Sequence, residues 1–129
     1  MQPITLLAAA LSLATGTYSL GINCQGNSNC GGTLCSLTDI LASVKALPQN
    51  NLYNPGDHIA CCGDSALASG ICAFVQGDFH DGQISASTAA GLLQDLVNHG
   101  CGKCGSVPIG PNNDPNADGI LTVNWVSEK

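Results

Sequence analysis

The sequence contains no arginine and only three lysines, at positions 45, 103 and 129. Nine acidic residues stand against them, for a formal net charge of −6. A chain so poor in cations has no bulk attraction for nucleic acid, heparin-like polyanions or anionic lipid. Glutamate is nearly missing too, since Glu128 is the only one, and this removes a Glu-based retaining glycosidase pair. Large aromatic residues are scarce: one Trp, two Tyr and two Phe. Neither Gly-x-Ser-x-Gly nor HExxH occurs, so two common hydrolase signatures are lacking. No N-x-Ser/Thr sequon is present, and N-glycosylation is not expected. Beyond residue 19 no apolar run is long enough to span a bilayer, and stable membrane insertion is not expected.

One apolar stretch does occur, from Ile4 to Ala14. It is too short for a bilayer but suits the hydrophobic region of a signal peptide. Small residues follow at Thr15, Gly16, Thr17 and Ser19, although no Lys or Arg precedes the run. Cleavage after Ser19 divides the chain into a signal peptide, 1–19, and a single domain, 20–129. The protein is therefore expected to be secreted and extracellular. All eight cysteines lie in the second part: Cys24, Cys30, Cys35, Cys61, Cys62, Cys72, Cys101 and Cys104. An even count in a short secreted chain predicts a disulfide framework. A domain this small has a modest core, and each bridge contributes about 2–4 kcal/mol. Eight cysteines allow on the order of a hundred connectivities, which the residues alone leave open.

Within the domain, Ser36 with Asp39 resembles a capping box. Leu37, Ile40, Leu41, Val44 and Leu47 follow at helical spacing until Pro48 stops them, which predicts a helix over 37–46. The stretch 48–56 is rich in turn residues. Strands are predicted over 58–62 and 70–76, and Asp81-Gly82 is a tight-turn signal. A second helix is predicted over 87–98, capped by Ser85 or Ser87, with Leu92, Leu93, Leu96 and Val97 as its apolar stripe. Gly100 sits at its C-terminal cap. Residues 107–119 read as a Pro/Asn/Asp/Gly loop. Ile120–Val126 alternates, with Leu121, Val123 and Trp125 on one face, as a half-buried strand does. The pattern points to an α+β fold with an antiparallel sheet.

Candidate chemistry is thin. His99-Gly100-Cys101-x-x-Cys104 carries metal-ligand residue types, and Cys24 and Cys30 could complete four ligands. In an oxidising compartment the same cysteines form disulfides, which is the expected reading. Asp114, Asn116, Asp118 and Gly119 match the first half of a calcium loop, yet the twelfth position is Trp125 in place of a bidentate Glu. An Asx-rich turn is expected there, and no metal or cofactor. An aspartate pair such as Asp57 with Asp64 could in principle do acid–base work, but no motif positions it. His58 and His80 have no motif either, and His99 suits a helix C-terminus. Trp125, Tyr53, Phe74, Phe79, Lys45 and Lys103 are nearly all the residues suited to a binding hot spot. Of these, Trp125 and Phe74 are expected in the core.

Several stretches, in order, resemble a known family. They are Leu20-Gly21-Ile22-Asn23-Cys24 followed by Cys30, then Ile71–Gln76, then Leu96-Val97-Asn98-His99-Gly100-Cys101-x-x-Cys104-Gly105-Ser106, and finally Leu121–Val126. The set is similar to the fungal killer toxin family typified by the smut-fungus killer protein of type four. The region 32–69 matches poorly. The resemblance implies a small disulfide-rich α+β sandwich, with two antiparallel helices packed on one face of an antiparallel sheet. It implies the bridges Cys24–Cys101 and Cys30–Cys104. With those assigned, Cys61 is expected to pair with Cys72 across a hairpin and Cys35 with Cys62. It also implies a secreted, monomeric, non-enzymatic toxin or effector that inhibits calcium uptake by target cells, with a calcium channel as its partner. The family's typical member is basic and has an important lysine shortly before its mid-chain Cys-Gly. Here His58-Ile59-Ala60-Cys61-Cys62-Gly63 occupies that place without a lysine, and the family's C-terminal cysteine is absent. The channel-blocking site therefore does not carry over. A secreted module binding cell-wall polysaccharide or another surface ligand is the alternative expectation.

Overall fold

The computed structural model describes residues 21–77, 82–110 and 119–129. The expected signal peptide, Phe79, His80, Asp81 and the Asp114, Asn116 and Asp118 loop lie outside them.

The first helix, α1, spans Leu37–Ala46. Its capping box is complete: the Asp39 N–H donates to Ser36 Oγ at 3.4 Å, and the Ser36 N–H donates to Asp39 Oδ2 at 3.0 Å. The apolar face Leu37, Ile40, Leu41 and Val44 is buried. The second helix, α2, spans Ala86–Asn98 with Ser85 as N-cap, whose hydroxyl accepts the Thr88 N–H at 3.1 Å. It starts one residue before the predicted position because Ser85, not Ser87, takes the cap. Its buried face is Ala86, Ala89, Ala90, Leu93 and Leu96; the small residues of its first turns let α1 approach closely. Leu92 and Val97 flank the stripe half-buried. His99 is the C-cap, and Gly100 follows at φ 98°, a left-handed conformation that costs glycine little.

The helices run antiparallel. The Leu37 N–H at the start of α1 donates to the Gly102 carbonyl just past the end of α2, at 2.9 Å. At the other end, the Ser87 N–H donates to Gln49 O at 3.2 Å. Beneath them lies a four-stranded antiparallel sheet of β2 (Ala60–Cys62), β3 (Gly70–Gln76), β5 (Gly105–Pro108) and β6 (Ile120–Val126), in the order β2-β3-β6-β5. Two further short strands, β1 (Leu52–Tyr53) and β4 (Ile84–Ser85), pair with each other. Ile71, Ala73 and Val75 of β3, with Leu121 and Val123 of β6, face the helices and are almost fully buried. Burying each such Val, Leu or Ile side chain contributes about 1.5–3 kcal/mol. The fold is thus a small disulfide-rich α+β sandwich.

Two segments differ from the sequence reading. Residues 105–108, read partly as the start of a loop, form an edge strand paired with β6. Asn23 bridges that strand in turn, exchanging two hydrogen bonds with Ser106 at 2.9 and 3.1 Å. Gly105 permits this close approach: a Cβ there would lie 2.6 Å from Asn23 O. The turn-rich stretch 48–56 contains β1, a strand too short to show periodicity.

Candidate functional site

Four disulfides join the eight cysteines: Cys24–Cys101, Cys30–Cys104, Cys35–Cys62 and Cys61–Cys72. Adjacent residues of a strand point to opposite faces, so Cys61 and Cys62 serve different layers. Cys61 faces Cys72 directly across the β2–β3 ladder on the outer face. Cys62 points to the helix side and holds Cys35, one residue before the α1 cap. The pair from the Cys101-x-x-Cys104 segment ties the N-terminal segment to the end of α2. Among the described residues, two clusters bring metal-ligand types together, His58 with Cys61 and Cys72, and Cys35 with Asp39 and Cys62. Their sulfurs are disulfide sulfurs, not the thiolates a metal site requires. Asp57 and Asp64 each cap a turn, accepting the Asn54 and Ala66 N–H at 3.0 and 2.9 Å.

Between two cysteine-anchored loops lies an open groove of about 420 Å³. Asn29, Gly32, Thr33 and Leu34 form one rim, Gly63, Asp64, Leu67, Ser69 and Gly70 the other, and Trp125 lies between them. The first rim is held by Cys30 and Cys35, the second at its base by Cys62, and the Cys35–Cys62 bridge joins the two. Leu34 is 99% exposed and Leu67 57%. Two exposed leucines beside a half-buried Trp make this groove the candidate site, although Leu52, outside it, is also 57% exposed. Asp64 is the charged side chain among the lining residues.

Of the expected hot-spot residues that the structure describes, Trp125 alone lines the groove. Phe74, expected in the core, is half-buried on the outer face of the sheet, because its strand position alternates with the helix-facing Ala73 and Val75. Its ring sits 5.9 Å from that of His58. Trp125 packs against the edge of the core and lines the groove as well. Lys45 is exposed on the last turn of α1. Lys103 and Lys129 are turned onto backbone carbonyls: Lys103 Nζ donates to Gly31 O and Thr33 O, and Lys129 Nζ to Asp64 O, Leu67 O and Ser69 O. Leu34 and Leu67 are not evident from periodicity. The one signal they give is a lone leucine in a polar loop next to a cysteine or its hairpin.

A model of the Kp4 family matches residues 7–127. The chain is also 37% identical over 119 residues to the KP4 killer toxin of Ustilago maydis P4 virus, across 92% of this chain and 89% of that protein. With the disulfide-stapled α+β sandwich described above, these matches show that the chain belongs to the Kp4 killer toxin family.

Proposed function

We propose that the protein is a secreted toxin or effector that docks its groove onto a surface protein of the target cell and lowers calcium uptake there. Membership of the killer toxin family across nearly the whole chain is the observation that carries this reading. Four disulfides suit an extracellular protein, and the apolar run Ile4–Ala14 suits a signal peptide removed before residue 20. The mode of action differs from a lysine plugging a channel mouth. No lysine stands at His58–Cys62, Lys103 and Lys129 are engaged by carbonyls, and the exposed Lys45 is on α1 and does not line the groove. The apolar Leu34, Leu67 and Trp125, with the Asp64 carboxylate as an acceptor, suit a segment that presents an apolar side chain beside a hydrogen-bond donor. An extracellular loop of a calcium channel is a target of that chemistry.

Purified protein is expected to slow the growth of susceptible fungal cells and to reduce their uptake of labelled calcium. Normal growth and normal uptake across a panel of fungal and plant cells would count against the proposal. A second reading rests on Trp125 among the polar Asn29, Thr33 and Ser69, a setting that also suits a sugar ring. Retention on chitin or glucan without effect on living cells would favour that reading.

A further inference from the structure

We infer that Lys103 and Lys129 are positioning residues that latch the two rims of the groove, one ammonium to each rim. The inference builds on the groove described above. The chain has three lysines in all, and two of them end on backbone carbonyls of the rims. Lys103, beside Cys104, reaches across to Gly31 O and Thr33 O, in the loop that leads into the exposed Leu34. Lys129 crosses to the opposite rim, where Asp64 O, Leu67 O and Ser69 O converge on its Nζ at 3.0, 2.6 and 3.0 Å. Its own backbone N–H adds a bond to Ala68 O at 2.7 Å.

The second site is shaped for the lysine stem. A Cβ at Gly70 would lie 2.7 Å from Lys129 Cδ and 2.5 Å from Cys62 O. At Gly63 a Cβ would lie 3.3 Å from Lys129 Nζ. Two glycines thus leave the path along which the side chain enters. An ammonium has three donors and no acceptor, so three converging carbonyls satisfy it fully. Asp64 O also accepts the Leu67 N–H at 3.0 Å, and hydrogen bonds from a charged donor are about twice as strong as neutral ones. The rims carry little apolar burial of their own, as the exposure of Leu34 and Leu67 indicates. Loops of that kind open locally at low cost unless tied down. The latches therefore keep the groove formed before a partner arrives, which lowers the ordering cost of binding.

The test is hydrogen exchange and tryptophan quenching on the full disulfide-bonded protein carrying Lys103→Met, Lys129→Met or the control Lys45→Met. Lys129→Met is expected to speed exchange of the Ala66 and Leu67 amides about tenfold or more while leaving Thr33 and Cys35 protected. Lys103→Met is expected to do the reverse. Either change raises acrylamide quenching of Trp125, the single tryptophan, and Lys45→Met does not. Acetylation of the native protein's lysines, which needs no refolding, is expected to reproduce both rim effects. Uniformly faster exchange across both rims and the sheet would mean a general structural role and overturn the inference; so would unchanged exchange after acetylation. These readouts do not depend on toxicity. If the latches hold but groove substitutions leave activity intact, the docking reading fails and the latches stand.

Discussion

Leu34→Asp is expected to reduce growth inhibition and cell binding by tenfold or more while leaving the unfolding free energy within about 0.5 kcal/mol of the parent. Leu34 is 99% exposed, so its side chain contributes nothing to the core that a charge could disturb. Its position on the rim beside Trp125 means that a carboxylate there would enter any apolar contact unpaired, and unpaired charge at a desolvated contact is costly. The added charge also repels an anionic segment and would attract a cationic one at long range. A net loss of binding therefore locates the apolar contact at Leu34, not merely the electrostatic attraction. Urea unfolding beside a dose–response on susceptible cells separates the two effects. Lys45→Met, on the exposed end of α1, should change neither.

Removing the disulfides one pair at a time, each as a double Cys→Ala variant, should destabilise in the order of the loops they close. Cys24–Cys101 and Cys30–Cys104 close loops with sequence separations of 77 and 74, and the chain-entropy model assigns each about 4–5 kcal/mol. Cys35–Cys62, with a separation of 27, comes next at about 3.5 kcal/mol. Cys61–Cys72, with a separation of 11, contributes least, about 3 kcal/mol, and it staples a hairpin the β2–β3 ladder already holds. For a domain whose total stability is of the order of 5–15 kcal/mol, loss of either long bridge takes a large share. Activity should follow a different order. Cys30–Cys104 and Cys35–Cys62 anchor the groove rims, so their loss should impair binding even where the protein remains folded. Loss of Cys61–Cys72, on the outer face, should spare it. Urea unfolding and cell-binding assays on the same four variants test both orders.

The helices could be read from the sequence because their signals are local. Ser36 and Asp39 complete a capping box, Pro48 stops α1, and Gly100 closes α2 in a left-handed turn. The strict alternation of Ile120–Val126 likewise announces β6 at the centre of the sheet. Strand β5 was hidden: Gly105-Ser106-Val107-Pro108 is four residues long and holds both a glycine and a proline. Its strand geometry comes from pairing with β6 on one side and Asn23 on the other, which are tertiary facts. The two-residue strands β1 and β4 are too short for any period to show. Phe74 was misplaced because a strand presents two faces, and composition does not say which one the helices cover. The residues alone also left the cysteine connectivity open. Cys61 and Cys62 illustrate why, since neighbours in sequence reach partners on opposite faces of the sheet. The groove was the least legible feature. Leu34 and Leu67 lie in polar loops where a single leucine carries no pattern, and only the folded rims show that both remain in water beside Trp125.

The most direct measurement is oxidative footprinting of the protein bound to membranes of susceptible cells, compared with the free protein. Protection concentrated at Leu34, Leu67 and Trp125, with His58 and Phe74 on the outer face of the sheet unchanged, is the result expected if the groove is the contact surface. Protection of His58 and Phe74 with the groove residues as reactive as in the free protein would contradict it, and would return the contact to the place where the family's typical member carries its lysine.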